Sequence, residues 1–257
     1  MANPQVRIQP ITDPEDFLRC FVIAGSAFGT QTADGIWTAF NPVLTRDTPE
    51  GKISGAARMQ SRWASRSFNS AGNPNVVFLK ATVPDPSGSG GSEGEVIAGL
   101  AIWVQASTME EHGDVPGTDL VKSLELDTLY PGDKSPQKFI CQVMKSLTKQ
   151  RREVMKEAAT CDPPAILALD LCAVDPAFQR RGIAAELVKW GLDEAKRRGG
   201  LEAVTEASKK GRGVYAKLGF EQEGDEIEYA LDDEFKDRVM PSNIFMRTGT
   251  SPKTVAH

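Results

Sequence analysis

The chain has 257 residues, of which 40% are hydrophobic and 25% charged, with a formal charge of −5. That is enough for one large domain with a full core, and the acidic balance excludes a general nucleic-acid binder, whose domain must be basic. Two histidines, His112 and His257, exclude a histidine triad, and Cys20, Cys141, Cys161 and Cys172 lack any metal-ligand spacing, so the thiols read as reduced and no metal is expected.

The opening MANPQVRIQP carries no apolar leader pattern, and runs such as AILAL are too short to span a bilayer. A cytoplasmic protein without membrane contact is the expectation. VRIQPIT alternates apolar and polar residues as a first strand does. Asp13-Pro14-Glu15 then opens a helical pattern through Phe17, Leu18, Phe21 and Val22, proline being favoured in a first turn. A short segment with Phe28, Ile36, Trp37 and Phe40 stops at Asn41-Pro42. Residues 51–68 predict a helix on which Arg58, Arg62 and Arg66 form a stripe: a solvated face, or else an anion or partner site.

NVVFLKATV and EVIAGLAIWVQ predict a hairpin, and the Gly/Ser/Pro-rich stretch 84–94 between them predicts a mobile loop. Residues 106–164 read as a polar insertion with one helix over 135–159. PAILALDLCAV is apolar on both alternating faces, so it predicts a central strand covered on both sides. The next helix carries Ile183, Ala184, Leu187, Val188, Gly191 and Ala195 on one face and ends at Gly199-Gly200. LEAVTEAS predicts a strand, GRGVYAKLGF a short helix, and EIEYALD (226–232) and NIFMRT two last strands. A loose tail, 249–257, follows a single domain over 1–248. The order is β-α-α-β-β-insertion-β-α-β-α-β-β, a mixed α/β sheet with helices on both faces.

Chemistry concentrates in VDPAFQRRGIAAELV, where a strand passes into a helix. The first amides of a helix lack intrahelical acceptors and sit at the positive end of its dipole. Gly182 leaves the backbone approachable, and Arg180 and Arg181 add positive charge. Two readings stand: an ordinary strand-to-helix loop with surface arginines, or a pyrophosphate cradle. Neither GxxxxGK(S/T) nor GxGxxG is present.

QRRGIA matches the (Q/R)xxGx(G/A) signature of the GNAT superfamily of N-acetyltransferases, and VYAKLGF resembles that family's second hallmark, a tyrosine shortly before Leu-Gly-Phe. The resemblance covers residues 5–248, is closest in 166–222, and is strongest to fungal-type members. It implies a GNAT-like acyltransferase fold, with a mostly antiparallel sheet splayed at its central parallel strands. It implies acetyl-CoA as co-substrate, with its pyrophosphate on the amides of Arg180, Arg181, Gly182, Ile183, Ala184 and Ala185 in a turn shaped by Gln179. The main chain of Cys172, Ala173 and Val174 would pair with the pantetheine arm. Tyr215 matches the position that often acts as general acid for the CoA thiolate, or else is a helix tyrosine packing on the sheet, and Ser208 stands where many members have Asn. Asp170 and Glu206 are the carboxylates nearest the expected splay, and a buried carboxylate of raised pKa makes a base; either could instead be structural. By strict alternation Asp170 shares a face with Cys172 and Val174, unless a bulge resets the parity. Cys172 could in principle accept the acyl group, but nothing adjacent activates it, so direct attack by an amine is expected. The acceptor would be a small amine, an amino sugar or a peptide amine; Asp34, Trp37 and Phe40 could form one wall of its site, or the Trp and Phe could be core. The protein would be a monomer or homodimer. The alternative is a non-catalytic acyl-CoA-binding sensor or scaffold.

Overall fold

In the computed structural model, which describes residues 6–42, 48–85 and 94–249, seven strands form one sheet in the order β1-β2-β3-β4-β5-β7-β6. They are β1 (Arg7–Pro10), β2 (Val76–Pro84), β3 (Glu95–Ala106), β4 (Ile166–Val174), β5 (Glu202–Ser208), β6 (Glu221–Glu226) and β7 (Asn243–Arg247). All neighbouring pairs are antiparallel except β4 and β5, which run parallel. β2, β3 and the first half of β4 are buried on both faces, which is why their sequences are runs of Val, Ile, Leu and Ala rather than alternations.

The helices are α1 (Asp16–Ala24), α2 (Gly35–Phe40), α3 (Pro49–Ala64), α4 (Leu120–Ser123), α5 (Leu126–Leu129), α6 (Lys134–Leu147), α7 (Lys149–Ala158), α8 (Ile183–Arg197) and α9 (Arg212–Lys217). On one face of the sheet α1, α3 and α7 bury Phe17, Phe21, Ala56, Val154 and Met155 against Phe78 and Phe245. On the other, α8 and α9 bury Leu187, Val188 and Tyr215 against Leu79, Trp103 and Leu167. Gly191 lets α8 approach β3, since a Cβ there would stand 2.0 Å from the Trp103 ring. A third cluster, with Phe139 and Phe235 edge to face at 5.3 Å, joins α2, α5 and α6 at one end.

The sheet opens where its parallel strands meet. β4 and β5 pair only over Ile166–Leu169 and Glu202–Thr205. Beyond that point β5 keeps β7, with Glu206, Ala207 and Ser208 opposite Phe245, Ile244 and Asn243, while β4 keeps β3. The Thr205 hydroxyl donates to the Leu169 carbonyl at 3.1 Å and pins the apex of the opening. The expected splay is present.

Three sequence expectations shift. The helix expected over 135–159 is two, broken at Thr148 (φ −92°, ψ 11°), whose hydroxyl donates to the Met144 carbonyl at 2.8 Å. The helix expected to reach residue 68 ends at Ala64. β6 precedes the expected 226–232: it is the fully exposed EQEGDE, whereas Tyr229 and Leu231 pack onto the α6 cluster. Of the loop expected at 84–94, residues 86–93 lie outside the described residues, as do 250–257 of the tail.

Candidate active site

Asp170 is an extra residue in β4. Ile102 pairs with Leu171 and Trp103 with Leu169, so the β3–β4 register skips it. The bulge flips the alternation: Ala168 and Ala173 enter one core, Leu167, Leu169 and Val174 the other. The strict parity that would group Asp170 with Cys172 and Val174 therefore fails at Asp170 itself.

Two arginines meet this carboxylate. Arg62 of α3 donates Nη2 to Oδ2 at 2.9 Å, and Arg151 of α7 donates Nη1 to Oδ1 at 3.0 Å. Arg151 also holds Glu206, through Nε to Oε1 at 3.0 Å and Nη2 to Oε2. The Glu206 and Arg151 side chains are only 5% and 13% exposed. Burial by itself would raise the Asp170 pKa, but Arg62 and Arg151 together hold the carboxyl well below the usual range. The raised pKa expected of Asp170 is thus corrected: charge pairing outweighs desolvation. The arginine stripe is not a solvated face either. Arg58 donates to the Phe40 carbonyl at 2.8 Å and to Asn41, and Arg66 lies 4.6 Å over the Trp63 ring.

Beyond β4, Asp175 caps a 3-10 turn, Pro176–Phe178, by accepting from the Ala177 amide at 2.8 Å. Gln179 donates Nε2 to the Val174 carbonyl at 3.0 Å and exchanges a reciprocal amide pair with Gln31. Arg180 and Gly182 then take φ of 65° and 82°, the left-handed region that glycine enters without strain. A Cβ on Gly182 would meet nothing within 4 Å, so the space before α8 is open. Glu186 N–H to the Gly182 carbonyl, at 3.2 Å, begins the α8 ladder, leaving the preceding amides without a place in it. Ile183 is buried and anchors the helix, Ala184 and Ala185 are half-buried, and Arg180 and Arg181 are exposed.

Tyr215 of α9 is buried, its ring 5.9 Å from Phe220. Burial, then the neighbouring Cys172, push its phenol well above the ordinary value, so it stays protonated. Burial also pushes the Cys172 thiol up to about 12, which removes it as a nucleophile at neutral pH.

A cleft of about 330 Å³ brings Asp170, Cys172, Glu206, Ser208 and Tyr215 together. Ala173 and Val174 are buried on the β4 stretch that β5 leaves, and residues 179–185 form the turn at its end. The expected acceptor wall, Asp34, Trp37 and Phe40, lines the same cleft, joined by Phe28. Asp34 caps α2, its Oδ1 accepting from the Ile36 and Trp37 amides at 2.9 Å each. Sequence reasoning missed the share of residues 106–164, which supply Met144, Leu147, Thr148 and Arg151. It also missed Asn243, which donates to the Tyr229 hydroxyl at 3.0 Å. Only the buried side of α7, Val154-Met155 one turn from Arg151, could have signalled that this helix reaches the sheet.

Among the described residues, no group of three His, Cys, Asp or Glu side chains is placed to hold a metal, and no helix is long and apolar enough to cross a membrane.

Residues 152–220 match the model of the Acetyltransferase (GNAT) family. No curated protein matches the chain. Arylalkylamine N-acetyltransferase 2 from Aedes aegypti superposes with a TM-score of 0.56 at 18% identity, covering 95% of this chain and 98% of that one. The polyamine N-acetyltransferase of Drosophila melanogaster gives 0.55 at 11%, with the same coverage. A histone acetyltransferase HPA2 and related acetyltransferase from Corynebacterium glutamicum gives 0.50 at 15%, covering 99% and 100%. The sheet and its helices match the GNAT acetyltransferase fold. Together these findings show the GNAT acetyltransferase fold, with the family's own model matched over residues 152–220.

Proposed function

We propose that this GNAT-fold chain transfers acetyl from acetyl-CoA to a primary amine by direct attack in a ternary complex. The observation that carries the reading is the open seam between β4 and β5, with the Gly182 turn at one end and Tyr215 on its side. The residues present fit the co-substrate. Main-chain groups of Cys172, Ala173 and Val174 suit a pantetheine arm lying as an added strand. The amides of Arg180, Arg181, Gly182, Ile183, Ala184 and Ala185 suit a pyrophosphate, in a turn that Gln179 fixes. Ser208 adds a hydroxyl beside the arm.

In the reaction the acceptor nitrogen forms a bond to the acetyl carbon as the carbon–sulfur bond breaks. Tyr215 gives its phenolic proton to the departing thiolate. Glu206 is the better placed carboxylate for the ammonium proton, since Arg151 alone holds it, whereas Asp170 is clamped by two arginines. With Cys172 neutral, no acyl-enzyme is required, and proximity carries much of the rate. The LDLCAVDPAFQRRGIA stretch supports a fungal-type member, and the amine-acetylating enzymes named among the structural neighbours support an amine acceptor.

The cofactor half is tested by thermal shift. Acetyl-CoA should raise the Tm of the wild type, and Gly182→Val should abolish that rise by filling the space before α8. A wild type that acetyl-CoA does not stabilise contradicts the reading.

A further inference from the structure

We infer that the acceptor is a singly charged amine on an apolar body, its cation paired by Asp34; this deepens the acetyl-transfer reading and rests on it. Among the described residues lining the cleft, five carry charge: Asp34, Arg62, Arg151, Asp170 and Glu206. Four of them form one chain, Arg62–Asp170–Arg151–Glu206, that neutralises itself through the bonds given above. Asp34 stands outside it. Its Oδ1 takes two α2 amides, and no cation pairs with it among the described residues. Burial raises its pKa against those amide bonds, as expected for a carboxylate withdrawn from water without a counter-ion. An arriving ammonium supplies that counter-ion and gains a charge-assisted hydrogen bond.

The position suits the chemistry. Asp34 and Glu206, the spare carboxylate and the proposed proton acceptor, line the same cleft. The walls decide the rest of the ligand. Phe28 and Trp37 stack at 5.6 Å with planes 28° apart, and Phe40, Met144 and Leu147 continue an apolar surface. Such walls suit an aryl or alkyl body. A second ammonium, as in a polyamine, finds no second spare carboxylate among these residues and meets the positive charge of Arg62 and Arg151.

Calorimetric titration of phenethylamine, spermidine and 2-phenylethanol into the CoA-saturated protein tests the assignment. Phenethylamine should bind at least about tenfold more tightly than either of the others, about 1.4 kcal/mol. Asp34→Asn keeps the helix cap, since Asn caps as well as Asp. It should weaken phenethylamine about tenfold, leave 2-phenylethanol unchanged and leave CoA affinity within about twofold. Spermidine binding as tightly as phenethylamine, or an Asp34→Asn protein with undiminished phenethylamine affinity, overturns the inference. Phenethylamine that binds as described but is never acetylated contradicts the transfer reading instead.

Discussion

At Asp170 the chain spends one residue that β3 does not match, and that residue gathers Arg62 and Arg151 from two different helices. An aspartate inside an apolar strand was visible in the sequence; its partners were not, because they arrive on helices 108 and 19 residues away. Without them desolvation would decide the pKa, and the expected direction would hold. Tyr215 was legible for the opposite reason: its environment is local, set by the Leu-Gly-Phe turn and by Phe220 five residues on. Tyr215→Phe keeps the ring packing and removes the proton. It should lower kcat about 100-fold or more, with acetyl-CoA affinity changed less than about threefold; unchanged kcat in steady-state assays removes Tyr215 from the mechanism.

Strands and helices were legible wherever one period dominated. β2, β3, β4 and α8 fall within two residues of their expected limits because each buries a continuous apolar face. β6 was not, because EQEGDE is an edge strand with no buried face, while Tyr229 and Leu231 of the expected alternation pack onto another cluster. Nor did the pattern of 135–159 reveal a break, since both halves keep helical periodicity around Thr148. That break lets α7 present Arg151 to β4 and β5, making it the tie between residues 106–164 and the seam. Arg151→Met leaves Glu206 buried with no arginine and Asp170 with Arg62 alone. The loss should be about 2–3 kcal/mol in urea unfolding at pH 7, below the full value for a buried pair because Asp170 is 27% exposed. The sign with pH follows from the depressed Asp170 pKa. Its stabilisation is present above the unfolded value near 4 and fades as pH falls below that, so the gap between wild type and variant should narrow in acid. A gap that widens in acid contradicts the pairing.

Over the whole molecule, two helical layers bury a sheet that is continuous except at one seam, and the site occupies that seam. α8 and α9 bring the Gly182 turn and Tyr215 from one side. α3 and α7 bring Arg62 and Arg151 to the cleft, and α2 brings Ile36, Trp37 and Phe40. The mixed sheet followed from the order of elements along the chain, and the splay from the family resemblance. The acceptor side did not, since its walls come from segments distant in sequence whose apolar residues are indistinguishable from core until they are placed. The central claim is acetyl transfer, and it is tested most directly by incubating the protein with acetyl-CoA and phenethylamine and quantifying N-acetylphenethylamine and free CoA thiol together. The expected result is equal amounts of the two products, far above the protein-free rate and nearly lost in Tyr215→Phe. Acetyl-CoA that binds while no amine in a broad panel yields acetylated product would contradict it and leave an acyl-CoA-binding module.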